Sequence, residues 1–205
     1  MRRLLAVAAV LVLSAIPTFA QTSIYMVDYY SNNPGPGGPA DQQIRLVNFG
    51  TAGTPLTSPV GDVCANVYVF DANQEMVACC SCRITPNGLI SLSIANGLTN
   101  NPVTSVVPVN GDVTIVSTLA AGATACSPLT YNAGPIDSTA GFGTHLQVSG
   151  GTATGTFITE TNLATPSVIA TAPADPEAPA EAAFLLQACQ FARYLGSNKG
   201  VCTCK

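Results

Sequence analysis

Val63-Cys64-Ala65-Asn66-Val67-Tyr68-Val69-Phe70, then Asp71-Ala72-Asn73-Gln74, then Glu75-Met76-Val77-Ala78-Cys79-Cys80-Ser81-Cys82-Arg83-Ile84, is the stretch on which the fold turns. In its first eight residues Val63, Ala65, Val67 and Val69 fall on one face of an extended chain. Cys64, Asn66, Tyr68 and Phe70 fall on the other. A period of two marks a strand, because successive side chains of a pleated backbone point to opposite faces. Asp71–Gln74 has turn composition, so Glu75–Ile84 returns as the partner strand of a hairpin.

Strand and turn signals continue on both sides. Thr85-Pro86-Asn87-Gly88 is a strong turn, and Ile90, Leu92 and Ile94 then alternate with Ser91 and Ser93, an amphipathic strand with one wet face. Towards the N-terminus, Ile24–Tyr30 and Gln43–Phe49 read as strands separated by a Pro/Gly/Asn loop. Asn110-Gly111 has the composition of a type I′ turn and predicts a second hairpin of Val103–Val109 with Val113–Leu119. Residues 120–143 are rich in Gly, Ala and Thr and give no periodic signal. Thr144–Val148 and Thr152–Thr159 are weaker strands around Ser149-Gly150-Gly151. Seven to nine short strands joined by Gly/Pro/Asn turns predict a mainly β protein, an antiparallel two-layer β-sandwich over residues 21–165.

The character changes after Thr161. Residues 166–180 carry Pro166, Pro173, Pro176 and Pro179 and read as an extended linker. Pro179 suits the first position of a helix, and Glu181 lies near the positive end of its dipole. Phe184, Ala188, Phe191 and Leu195 form one stripe, with Leu185, Cys189 and Ala192 beside it, so this stripe is expected to dock on the sandwich. Gly196 is the expected left-handed stop. Residues 181–205 are thus a single C-terminal α-helix and a cysteine-containing tail.

Residues 1–20 read as a secretory signal peptide. Arg2 and Arg3 supply the positive region, and Leu4–Leu13 is an apolar run too short to span a bilayer. Thr18-Phe19-Ala20 offers small residues at the −3 and −1 positions, placing cleavage before Gln21. The remainder has no long apolar segment and so no transmembrane segment after signal removal. No Asn heads an Asn-x-Ser/Thr triplet, which suits a bacterial exported protein. Without Arg2 and Arg3 the net charge is −6, from eleven acidic and five basic residues.

That balance argues against a nucleic-acid partner, which needs a basic footprint on phosphates. His145 is the one imidazole in the chain, and Val148-Ser149-Gly150 lacks the Gly-x-Ser-x-Gly elbow, so no hydrolase triad is nominated. Asp71-Ala72-Asn73-Gln74-Glu75 places oxygens at alternate positions as calcium loops do, but Met76 stands at the sixth position and Cys82 at the twelfth. Turn chemistry accounts for the same residues. Neither a catalytic residue nor a cofactor is predicted.

Val47-Asn48-Phe49-Gly50, a loop, then Val63–Phe70 resembles bacterial immunoglobulin-like extracellular modules, a likeness of fold that implies no activity. Tyr68–Met76 with Cys79-Cys80-Ser81-Cys82, Thr85–Leu89 and the terminal Gly200-Val201-Cys202-Thr203-Cys204 is similar to an uncharacterised family of small secreted Cys-rich bacterial proteins. The resemblance spans most of the mature chain and implies no catalytic residues.

The eight cysteines, an even number, fit an oxidising compartment. Cys64, Cys79, Cys80, Cys82, Cys126, Cys189, Cys202 and Cys204 are all disulfide candidates. In an extended strand Cys80 and Cys82 share a face and Cys79 takes the other. An extended tail would present Cys202 and Cys204 together, so two facing Cys-x-Cys pairs can form adjacent bridges. Cys189 then pairs with Cys64, Cys79 or Cys126, or takes a tail thiol instead. Each long-range bridge contributes roughly 3–5 kcal/mol by the chain-entropy model. The alternative is a metal site, with Cys79 and Cys82 joining Cys202 and Cys204 as four thiolates for zinc or copper(I), or a thiol-redox centre. The expectation is a secreted or periplasmic, disulfide-stabilised structural or binding module, non-enzymatic, with a cell-surface or protein partner. N-terminal sequencing of the exported protein should find Gln21, within two residues, at its start; Met1 there would overturn the compartment argument.

Overall fold

The computed structural model describes residues 25–32, 42–50, 61–120, 126–131, 138–149, 155–163 and 177–204. The expected signal peptide, residues 1–20, and residues 166–176 of the expected linker lie outside these. The described elements are β1 (Tyr25–Ser31), β2 (Gln43–Asn48), β3 (Val63–Asp71), β4 (Met76–Ile84), β5 (Leu89–Ser93), a π-helical turn (Ile94–Leu98), β6 (Asn110–Leu119), β7 (Thr139–Ser149), β8 (Gly155–Asn162) and α1 (Glu177–Gly196). The strands form two four-stranded antiparallel sheets, β1-β6-β3-β4 and β5-β2-β7-β8. The protein is mainly β, a sandwich with one C-terminal helix.

The hairpin pairs β3 with β4 from Val63↔Ile84 to Phe70↔Met76, with a register shift at Val69/Phe70. Asp71 closes its turn, its Oδ1 accepting the backbone N–H groups of Asn73 and Glu75, both at 2.9 Å. That use of the carboxylate is the turn chemistry read from the sequence. Ala65, Val67 and Val69 face the second sheet and pack in the main core with Met26, Ile44, Leu46, Leu92 and Ile115. The other face of β3 is buried as well. Tyr68 and Phe70 join Val116, Cys79, Leu185 and Cys189 in a second cluster, with Leu129 and Tyr131 packed against it. The β1-β6-β3-β4 sheet is therefore covered on both sides, by the other sheet within and by α1 with residues 126–131 without.

Few charges are available, and most of the buried polar contacts are made by amides and hydroxyls. Asn48, fully buried at the end of β2, donates to the carbonyl oxygens of Gly61 at 2.9 Å and Ile84 at 3.0 Å. Its Oδ1 accepts from the Gly50 N–H at 2.9 Å and the Ser138 hydroxyl at 3.1 Å. One side chain thus ties β2 of one sheet to the end of β4 in the other. Asn66 on the outer face does similar work, donating to the Val116 carbonyl and Thr118 hydroxyl, both at 3.1 Å, and accepting from Ser81 at 2.7 Å. Satisfied networks of this kind are stabilising, whereas leaving one of these buried groups unpaired costs about 1–3 kcal/mol.

Three local expectations are corrected. Asn110 and Gly111 are not a turn: they open β6 and pair with Ser31 and Tyr30, while Val103–Val109 lies outside any strand. Gly111 serves close approach instead, since a Cβ there would collide with the Phe70 carbonyl oxygen, which accepts the Tyr30 hydroxyl at 2.9 Å. The second correction concerns the helix face. Leu185, Cys189, Ala192 and Gly196 are buried, whereas Phe184, Phe191, Tyr194 and Leu195 face solvent. Cys189 decides this rotation, because its disulfide to Cys79 turns its side of α1 onto the sheet. Third, α1 begins at Glu177, inside the stretch expected as linker, and Gly196 remains helical. Left-handed conformations fall on Ser197 (φ 44°), Asn198 (φ 85°) and Gly200 (φ 70°). A Cβ at Gly200 would sit 3.2 Å from the Ala192 carbonyl oxygen, so glycine is favoured there by space as well as by φ.

The helix orientation makes a direct prediction. Leu185→Ala should destabilise the protein by about 2–5 kcal/mol, as expected for a fully buried leucine. Phe191→Ser, at a side chain 64% exposed, should change stability by no more than about 0.5 kcal/mol. Denaturant midpoints of the two variants decide the matter, and the reverse order would rotate the helix.

Candidate functional site

The cysteines converge on β4. Being adjacent in an extended strand, Cys79 and Cys80 point to opposite faces, and the chain uses both. Cys79 faces outward and bonds Cys189 of α1, with Cα atoms 5.9 Å apart. Cys80 and Cys82 face inward and bond Cys202 and Cys204, at Cα separations of 5.1 and 5.6 Å. Cys64 on β3 bonds Cys126, with Cα atoms 5.5 Å apart, bringing residues 126–131 over the outer face. All four separations fall inside the range a disulfide spans without backbone distortion.

The tail reaches Cys80 and Cys82 because it runs parallel to β4. Cys79 pairs with Val201 in a parallel bridge. Its N–H donates to the Gly200 carbonyl at 3.0 Å, and its carbonyl accepts from the Cys202 N–H at 3.4 Å. Parallel register fixes a constant offset, and both inward bridges span 122 residues. The four thiols weighed as a metal set are not gathered together: Cys79 faces away from the others, toward α1. The sulfurs that do cluster are those of Cys80, Cys82 and Cys204, all within 4.8 Å of one another. Among the described residues no cysteine is free.

His145 lies on β7, paired across to Thr159 of β8. Its Nε2 is 3.5 Å from Oδ1 of Asp28 on β1, so the two largely buried side chains bridge the sheets. Gly143 makes room, since a Cβ there would collide with the Asp28 carboxylate. Ser149 is four residues farther along β7, about 13 Å of backbone at the strand rise. Sequence reasoning singled out His145 but missed Asp28. The available signal was parity: Met26, Asp28 and Tyr30 share a face, and a carboxylate between two core residues requires a partner. Burial holds the Asp28 carboxyl above its ordinary value of 3.8, while His145 and the Tyr29 backbone N–H draw it back down.

A second polar link joins sheet and helix. The Tyr25 hydroxyl donates to Glu181 of α1 at 3.3 Å, and burial, reinforced by that carboxylate, pushes the phenol up to about 12. Tyr68 donates to the Pro128 carbonyl at 3.1 Å and lies 3.3 Å from the Tyr131 hydroxyl; burial raises its phenol further still. These hydroxyls are neutral hydrogen-bonding groups that fasten α1 and residues 126–131 to the outer face.

Fold and site together define a disulfide-braced β-sandwich whose helix and tail are clipped to one strand. Set against known proteins, the chain matches no family model, no curated protein and no solved structure.

Asp28 gives the protein a testable pH dependence. Because its folded value is raised, the native state binds the proton more tightly than the unfolded chain. Stability from this group is present below the ordinary carboxylate value and is lost as pH rises through the raised one. Asp28→Asn should flatten that fall, and His145→Gln should deepen it by removing the attraction that favours the charged carboxylate. Denaturant midpoints measured from acid to neutral pH will show both effects.

Proposed function

We propose that this chain is an exported, disulfide-stabilised β-sandwich module of the extracellular or periplasmic space, acting by structure or binding and without catalysis. The observation that carries this reading is the bonding state of its cysteines: all eight form four intrachain bridges that tie β3 and β4 to the helix, the tail and the 126–131 segment. A framework of that kind persists only where thiols are kept oxidised. No helix among the described residues is long and apolar enough to cross a membrane. His145 has its role in the inter-sheet pair with Asp28. A cell-surface or protein partner fits a surface that relies on amides, hydroxyls and exposed side chains such as Tyr194 and Val106.

The rival, a thiol-based metal-binding or redox protein, draws on one observation, the clustered sulfurs of Cys80, Cys82 and Cys204. Thiol titration in denaturant without reductant separates the two. The proposed function expects no free thiol, whereas several free thiols with stoichiometric zinc or copper would establish the rival. In a broad screen of ester, peptide and glycoside substrates, wild type and His145→Gln should be equally inactive. Turnover lost in His145→Gln would overturn the non-enzymatic reading.

A further inference from the structure

The four bridges are unequal in access. Cys79 and Cys189 are both fully buried, and Cys80 and Cys202 are each only 4% exposed. In the Cys82–Cys204 bridge, Cys82 is buried but Cys204 is exposed. Thiol–disulfide exchange requires a thiolate to approach one sulfur in line with the bond it breaks, so access selects both the bridge and the sulfur attacked. The nearest competitor is Cys126, half-buried in its bond to Cys64.

We propose that Cys204 is a thiol-modification site and that the Cys82–Cys204 bridge is a reversible latch on the C-terminal tail, opened by low-molecular-weight thiols. The external thiolate attacks Sγ of Cys204 and forms a mixed disulfide there. The Cys82–Cys204 bond breaks, its electron pair leaves on Cys82 Sγ, and that sulfur takes a proton from solvent. One thiol is consumed and the number of disulfide bonds is unchanged.

Resealing is the reverse reaction, for which the geometry is suited. Cys82 is held in β4, and its sulfur lies within 4.8 Å of those of Cys204 and Cys80. When the external thiol is removed, Cys82 can attack Cys204 and expel it. Opening also leaves the global fold in place. Cys80–Cys202 already joins the same two segments in the same register, so the additional loop closed by Cys82–Cys204 is only a few residues and its loss frees little chain entropy. What is released is the last part of the tail. This goes beyond the structural or binding reading above and does not depend on it.

The test treats the native full-length chain with graded glutathione, quenches with acid, alkylates and maps the bridges. The first adduct should sit on Cys204 with the single new thiol on Cys82, the other three bridges intact, and the native pattern should return when glutathione is removed. In the Cys82→Ser/Cys204→Ser double variant, adduct formation at the same dose should fall roughly ten-fold or more, since the remaining sulfurs are buried or, at Cys126, half-buried. A first adduct at Cys126 or Cys82 in the wild type, several bridges opening together, or an undiminished rate in the double variant would overturn the proposal. The wild-type map reads the site of attack without relying on the variant to fold.

Discussion

Adjacent residues of an extended strand cannot face the same way, and the arrangement of this protein follows from how β4 exploits that constraint. On a helix, adjacent cysteines would diverge by only about 100°. On a strand they reach two different layers. Cys79 takes hold of α1 on the outer side of the sheet, and Cys80 and Cys82 take hold of the tail on the inner side. The 20-residue α1 draws its stability from packing more than from propensity, and here its position is set by the buried Leu185 and Ala192 and by a covalent bond. The exposed Phe184, Phe191 and Tyr194 show the covalent constraint prevailing over the larger side chains.

The second organising feature is polar. At the junctions of its layers this protein places mainly uncharged side chains. Asn48 satisfies four partners, Ile84 of the opposite sheet among them, and Asn66 bonds across three neighbouring strands. The Asp62–Arg83 pair, at 2.5 Å with Asp62 nearly buried, secures the same end of β4 that Asn48 reaches. These polar contacts and three of the four disulfides therefore converge on one strand, which is held at its end by hydrogen bonds and along its length by sulfur.

How much of this was legible in the sequence depended on whether a residue's pattern reflected its own strand or its neighbours. β3 and β4 were readable because period-two alternation with a turn between is a local property. The opposed facing of Cys79 and Cys80 was readable for the same reason, although the partners of Cys79 and Cys64 were not. β7 gave little signal because its inward positions include Gly141 and Gly143, which leave space for Leu163 and Asp28; the apolar half of its alternation is supplied by other segments. Asn110-Gly111 misled because its glycine meets a steric demand from Phe70 and Tyr30, both distant in sequence. The helix stripe misled because side-chain size does not reveal where a disulfide will pull.

The separation in sequence of the bridges also governs how the chain acquires its structure. Cys79, Cys80 and Cys82 form one short run, yet their partners lie 110 to 122 residues downstream. A chain made from its N-terminus presents these three thiols together long before the correct mates exist, whereas Cys64 can find Cys126 only 62 residues later. The parallel register of Cys80 and Cys82 with the tail is a non-local pairing of the slow-forming kind. Structural maturation is therefore gated by the arrival of Cys189, Cys202 and Cys204, and premature pairing among Cys79, Cys80 and Cys82 must be undone by exchange before the tail can take its place.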